Sequence, residues 1–309
     1  MMRRVVLAAI VLGGITISVA AQQAGRGGGP AFPPVTSIAK VRDNLYVVQG
    51  GGGNTAVFVM ASGVALVDTK LAGNGQAILD QVRKVTNRPV TTIVNTHTHG
   101  DHTGSNGFFP ASVEIVVHEN TRANMAKMEE LKATPTAMPD RTYTDRLTLG
   151  SGADRIDLYH FGAGHTNGDT FVVFPSVRTM HAGDFFPWKA PPFIDAGNGG
   201  SGVAYPATLD RVVKEVRNVD AVITGHMSTV QRWADLVEFG EFTREFLRAT
   251  ENAHHAGRTA QQAATELKLP AKFDSYLGDQ PIVGLDFLGT GRSRARTNVE
   301  VIYGELNKR

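Results

Sequence analysis

The densest chemistry in the chain lies in ten residues, Asn95-Thr96-His97-Thr98-His99-Gly100-Asp101-His102-Thr103-Gly104. Three imidazoles and a carboxylate fall within six positions, directly after the apolar run Thr91-Thr92-Ile93-Val94, so they stand at the carboxyl end of a predicted strand. Alternate side chains of an extended chain share a side, which puts His97 and His99 together. A turn at Gly100 then redirects Asp101 and His102 toward a neighbouring position. A solvated polar loop would account for a single histidine. Imidazoles packed this closely repel on protonation, and the pattern points instead to a bound cation. The sequence contains no cysteine, so any metal site is built from nitrogen and oxygen ligands.

One cluster supplies too few ligands for two ions. Three later segments add to it, each after a β-rich run: Gly162-Ala163-Gly164-His165-Thr166-Asn167-Gly168-Asp169, His181-Ala182-Gly183-Asp184 and Thr224-Gly225-His226. A glycine beside each candidate ligand lets the backbone turn tightly and approach a metal. The candidate ligands are therefore His97, His99, Asp101, His102, His165, Asp184 and His226. Two divalent ions about 3.5–4 Å apart lower the pKa of a shared water toward neutrality and polarise a scissile carbonyl or phosphoryl oxygen. Asp101 is the candidate to accept or orient the proton of that water. Zinc suits imidazole and carboxylate, and iron or manganese tolerates the same set. The histidines must stay neutral to bind, so activity is expected to fall on acidification.

These ligands need elements to hold them. Residues 38–69 alternate in short β-rich runs (45–48, 56–59, 64–67) split by Gly50-Gly51-Gly52-Gly53-Asn54 and Ser62-Gly63, an antiparallel meander. Ile78, Leu79, Val82 and Val85 follow at helical spacing, ahead of the strand at 91–95. The alternation continues with a strand at 113–117, a helix at 120–131, and strands at 142–149, 155–161, 171–174, 177–181 and 221–224. A helix is expected near 209–216 and a largely helical tail from 230 on. β runs mixed with helices imply sheets covered by helices on their outer faces. The loop at 187–206 is long enough to rim a binding site.

The order His-x-His-x-Asp-His, Gly-His-Thr, Gly-Asp, Gly-His resembles the metallo-β-lactamase superfamily, and the likeness runs from Leu45 to about His226. It implies an α+β fold, a four-layer αββα sandwich. It also implies that His97, His99 and His165 hold one metal, that Asp101, His102 and His226 hold the other, and that Asp184 bridges them. Asp68, ending Val64 to Val67, resembles a carboxylate that steadies the metal loop. The best-known zinc β-lactamases carry Cys or Ser where this chain has Asp184. Glyoxalase II-like thioesterases and lactonases carry Asp. His118, His160, His181 and His254-His255 are expected to be packed or on the surface, and Phe185-Phe186-Pro187-Trp188 to form core or an apolar wall beside the metals.

The chain opens on Met1-Met2-Arg3-Arg4, an apolar run at 5–19 broken by Gly13-Gly14, and Ala20-Ala21, the layout of a cleavable export signal. Residues 22–37 are expected to be a flexible lead-in, 38–229 a catalytic domain and 230–309 a helical extension packed on it, in a protein that is periplasmic or secreted and keeps no membrane anchor. The 31 basic and 29 acidic residues give no general field for nucleic acid. A small-molecule substrate is expected. The leading function is hydrolysis of an ester, lactone, thioester or amide, with three alternatives: a β-lactamase proper, a phosphodiesterase or nuclease, and a mononuclear-iron redox enzyme. A nuclease would want a basic stripe, and Arg292-Ser293-Arg294-Ala295-Arg296 is the one basic run after Ile38.

Overall fold

A computed structural model describes residues 32–132 and 134–309. The expected signal segment and most of the lead-in lie outside the described residues. The first sheet takes β1 (Ser37–Arg42), β2 (Leu45–Gln49), β3 (Thr55–Val59) and β4 (Val64–Val67) as an antiparallel meander. Helix α1 (Gly75–Arg83) then crosses to β5 (Val90–Val94), and the short α2 (Gly100–Thr103) leads to β6 (Glu114–His118). Two short helices, α3 (Glu119–Met125) and α4 (Glu129–Lys132), precede β7 (Arg141–Tyr143), which closes the seven-stranded sheet in sequence order. Strands β4 to β7 are parallel.

The second sheet holds β8 (Arg146–Leu149), β9 (Ile156–Tyr159), β10 (Phe171–Phe174) and β11 (Thr179–His181). Helix α5 (Tyr205–Glu215) leads to β12 (Ala221–Ile223), and β13 (Gln231–Arg232) forms the far edge. The chain ends with α6 (Trp233–His255), α7 (Ala260–Thr265) and α8 (Gly291–Leu306).

Period-two alternation sorts the strand residues into layers. Leu45, Val47, Ala56, Phe58, Ala65, Val67, Val94 and Val116 face Leu158, Val172, Phe174 and Ile223 between the sheets. Phe58 meets Phe174 there at a ring separation of 4.9 Å, and truncating either to alanine would cost about 3–5 kcal/mol. The intervening residues, such as Val57, Leu66, Ile93 and Ile115, pack outward under Ile78, Val82 and Met125 of the first helices. On the other outer face, Phe171, Val173, Met180 and Val222 meet Leu209 and Val212 of α5, Phe239, Phe242 and Phe246 of α6, and Val299 and Ile302 of α8. The layers are thus helix, sheet, sheet, helix, the αββα sandwich, and the helical tail shares its core.

Three elements differ from the sequence expectation. The strand expected at 142–149 is two, β7 and β8, in different sheets. The chain changes sheets at Thr144-Asp145, where Tyr143 Oη donates to Thr170 Oγ1 (2.8 Å) and His160 N to Asp145 O (2.9 Å). The helix expected at 120–131 breaks after Met125, because Asn124, Met125 and Met128 take tight three-residue turns from Lys127, Met128 and Leu131. Helix α5 begins earlier, at Tyr205, with Pro206 in its first turn, where a missing N–H is harmless.

The topology places the chemistry at one end. In the second sheet β9, β11 and β12 run the same way, so the segments after them emerge from one edge, as do those after the parallel β4 and β5 in the first sheet.

Candidate metal centre

Seven side chains from four segments converge at that edge. After β5, the backbone bends through 96–98 and enters α2, with His99 at its N-cap. His97 Nε2 lies 3.2 Å from His99 Nδ1, and His165 Nε2, from the loop after β9, lies 3.0 Å from the same atom. Asp184, in the turn Gly183–Phe185 after β11, brings Oδ2 to 3.8 Å from His165 Nε2. Beside this group, Asp101 Oδ2 stands 3.6 Å from both His102 Nε2 and His226 Nε2. Asp184 touches this second group too, with Oδ1 3.4 Å from His102 Nε2 and Oδ2 3.2 Å from His226 Nε2. Within each group, His97, His99, His165 and Asp184 or Asp101, His102 and His226, the candidate ligand atoms lie within 4.8 Å of one another. All seven sequence candidates are therefore brought together, and Asp184 stands between the groups.

The outward nitrogens of four of these rings are already committed as donors. His99 Nε2 donates to Asp195 Oδ2 (2.7 Å), His165 Nδ1 to Phe193 O (2.7 Å) and His102 Nδ1 to Asp68 Oδ2 (2.7 Å). Thr96 Oγ1 donates to Asp68 Oδ2 (2.7 Å), and His97 Nδ1 therefore donates to Thr96 Oγ1 (2.9 Å). In the neutral imidazoles the inward nitrogens carry lone pairs, and lone pairs 3.0–3.2 Å apart repel unless a cation or proton sits among them. His102 Nε2 and Asp184 Oδ1 are buried without a hydrogen-bond partner. A tetrahedral cation with bonds of about 2.0–2.1 Å sets its ligand atoms about 3.3 Å apart, close to the spacings found here. The donor set fits divalent metal, with Asp184 able to serve both positions.

Electrostatics point the same way. Burial and the neighbouring imidazoles hold His97 well below the usual histidine range, and burial with His99 lowers His165 to about 4. Against the cost of burial, Asp101, Asp184 and Asp68 raise His102 well above it. The negative field that would hold a proton on His102 equally attracts a cation, and the two compete. Burial would raise Asp184, but His226 and His102 outweigh it and hold the carboxyl well below the usual range.

The supporting residues explain the local backbone. Asp68 is fully buried at φ +66°, a left-handed position that Asp and Asn tolerate, and also accepts from Thr96 N (2.7 Å). Glycine at 225 is required by close approach: a Cβ there would collide with Asp184 Oδ1. Asp169 accepts from Thr166 N (2.8 Å) and Thr166 Oγ1 (2.6 Å), fixing the residue after His165, and burial raises it to about 7 despite those bonds.

The other histidines take no part in the cluster. His181 is buried between Asn54 O and Gly183 N, His118 stacks on His160 with ring centres 3.9 Å apart, and His254 bonds Asn307. Phe185 and Phe186 are core, while the Trp188 ring lies 5.6 Å from that of His226.

Four contributors carry no sequence signal. Asp195 is one carboxylate in a glycine-rich loop. Lys70 is a buried ammonium donating to Val48 O (2.9 Å) and Gly53 O (2.8 Å), driven down to about 7 by burial against the pull of Asp68 and Asp101. Phe193 stacks on His99 at 5.7 Å. Phe32, inside the expected lead-in, stacks on His226 at 5.5 Å, and Pro33 O accepts from Gly51 N (2.6 Å). Only long-range packing reveals them.

Comparison with known proteins supplies the family. The chain is 23% identical over 200 residues to metallo-beta-lactamase type 2 of Bacteroides fragilis, covering 62% of this chain and 78% of that protein. It is 28% identical over 160 residues to 2,4-dinitroanisole O-demethylase subunit alpha of a Nocardioides species, covering 50% of this chain and 48% of the relative. Among solved structures, the stereoselective inverting sec-alkylsulfatase of a Pseudomonas species superposes with a TM-score of 0.69 at 15% identity, over 87% of this chain and 50% of that one. That likeness is one of fold, and the chain spans half of the sulfatase. The family model described as metallo-beta-lactamase superfamily matches residues 48–226, which include all seven converging side chains, and the chain belongs to that superfamily.

Proposed function

We propose that the protein is a binuclear metal-dependent hydrolase that cleaves an ester, lactone, thioester or amide bond of a small molecule. The carrying observation is Asp184, whose two oxygens reach into both groups of ligands, His165 on one side and His102 and His226 on the other. His97, His99 and His165 would hold one cation and Asp101, His102 and His226 the other, with Asp184 shared. The chemistry that two such cations supply is acidification of water and polarisation of the bond to be broken, with zinc the best match to the donors.

The chain's own groups do the rest. Asp68, Asp195 and Phe193 O fix three of the rings by accepting from their outward nitrogens, which keeps the inward nitrogens free to bind. Asp101, 3.6 Å from both His102 and His226, would be the carboxylate to take the proton of a water that attacks the bond. The reading includes export, on the strength of the first 21 residues.

The test is a panel of lactones, thioesters, aryl esters and nitrocefin, run on wild type and Asp184→Ala with metal counted in both. Close to two cations per wild-type chain and loss of turnover with loss of metal in the variant are expected. One iron per chain, or equal activity in the variant, would overturn the proposal.

A further inference from the structure

Arg294 stands apart from its neighbours in the basic run Arg292-Ser293-Arg294-Ala295-Arg296. Arg292 and Arg296, two residues either side, are 70% and 65% exposed and pair with Asp279 (3.0 Å) and Glu300 (3.4 Å). Arg294 turns inward from the first turns of α8 and, among the described residues, makes no ion pair. Its guanidinium donates once, to Leu288 O (2.8 Å), and its Nε is buried without a partner. Burial alone acts on it, lowering its affinity for the proton, with no carboxylate opposing. Arg294 is part-buried, so a buried Nε donor left unclaimed is costly, and the donors that the guanidinium still offers are suited to a planar oxyanion.

Its position gives that anion a source. The guanidinium carbon lies 5.1 Å from the centre of the Phe193 ring, which stacks on His99 at 5.7 Å and meets His165 at 5.8 Å. Leu288, whose carbonyl it bonds, packs against the cluster of Trp188, Ala190 and Ile282, and the Trp188 ring borders His226. Arg294 therefore sits at the rim of the metal centre, one aromatic ring removed from it. Helix α8 is fastened in place: Asn298 Nδ2 donates to Pro192 O (2.9 Å), and Gly202 N donates to Glu305 Oε1 (2.7 Å). The residue comes from beyond the stretch that the family model matches.

Resting on the hydrolase reading above, we propose that Arg294 receives an anionic oxygen group of the substrate, a carboxylate or its like, carried beyond Phe193 from the bond that is cleaved. The substrate class is then an ester, thioester or amide with a remote negative charge.

Binding to the metal-loaded protein tests this without turnover. Linear dicarboxylates from glutarate to pimelate are compared by calorimetry with monocarboxylates of equal carbon number, which offer one carboxylate to the cations and none to Arg294. At least one dicarboxylate should bind wild type about 10- to 100-fold more tightly than its partner, the range of one charge-assisted pair. Arg294→Met should remove that difference and leave monocarboxylate binding unchanged, and Arg294→Lys should restore part of it. No preference in wild type, a preference that survives in Arg294→Met, or equal weakening of both ligands would overturn the proposal. In parallel, 4-nitrophenyl monoesters of the same diacids and 4-nitrophenyl alkanoates are assayed, with Arg294→Met expected to raise KM for the charged esters alone and keep kcat. Wild type that hydrolyses neither ester would count against the hydrolase reading, while the binding comparison still decides the role of Arg294.

Discussion

Replacing Asp68 by asparagine removes one charge from a fully buried group and keeps its shape and its left-handed backbone, which asparagine also accepts. The carboxylate takes three donors: Thr96 N on Oδ1, and Thr96 Oγ1 and His102 Nδ1 on Oδ2, each at 2.7 Å. An amide has one acceptor oxygen. With that oxygen in the Oδ2 position, the new NH2 faces Thr96 N–H. With it in the Oδ1 position, the NH2 faces His102 Nδ1–H and forces the ring to carry its proton on the inward nitrogen. Either way a buried donor loses its acceptor, Thr96 N–H in the first case and Thr96 Oγ1–H in the second, at about 1–3 kcal/mol, and His102 loses an anionic partner. Fold stability should drop by about 2 kcal/mol. Affinity for the cation held by Asp101, His102 and His226 should fall about 10- to 100-fold. Urea titration of the metal-free protein measures the first and competition with a graded series of chelators the second. Wild-type values on both axes would refute the role assigned to this carboxylate and the tautomers derived from it.

Gly225→Ala should abolish tight metal binding with little change in secondary structure, because its methyl would occupy the place of Asp184 Oδ1; elemental analysis after dialysis checks this. His118 is lowered to about 4 by burial and its stacked neighbour His160, and its Nδ1 accepts from Asn120 N as the cap of α3. Between that value and about 6.5 the unfolded chain binds the extra proton, so stability should be lost as pH falls through this window. Thermal melts of metal-free wild type and His118→Asn from pH 7 to 4 should show a shallower acid loss in the variant. Asp195→Asn, which can still offer an oxygen to His99 by rotating, should weaken metal binding less than Asp68→Asn in the same chelator series.

The ligands were legible because their local signal is strong: His97, His99, Asp101 and His102 sit in one six-residue stretch, and His165, Asp184 and His226 each follow a β run beside a glycine. The sandwich was legible from period-two alternation, as in Ala56 and Phe58 inward with Val57 outward. The partition into sheets was not, because Asp145 is the one turn-favouring residue in the 142–149 run, with no Gly, Pro or Asn beside it, and Thr, Tyr and Leu on either side read as one continuous strand. Asp195, Lys70, Phe193 and Arg294 were invisible as members of the site for another reason. Each is a single residue whose role comes from a partner far along the chain, as with Arg294 and Phe193 or Asp195 and His99, and no spacing rule encodes such a pair.

The contact of Phe32 with His226 and with Phe287, at 5.5 and 5.0 Å, has a practical corollary at the bench. A polyhistidine purification tag joined shortly before Phe32 would need only a few extended residues, at about 3.3–3.6 Å each, to bring its own imidazoles beside His226, where they would compete with the chain's own ligands for a cation. A handle without imidazoles removes that competition, and metal titrations on protein made that way count only the chain's own ligands.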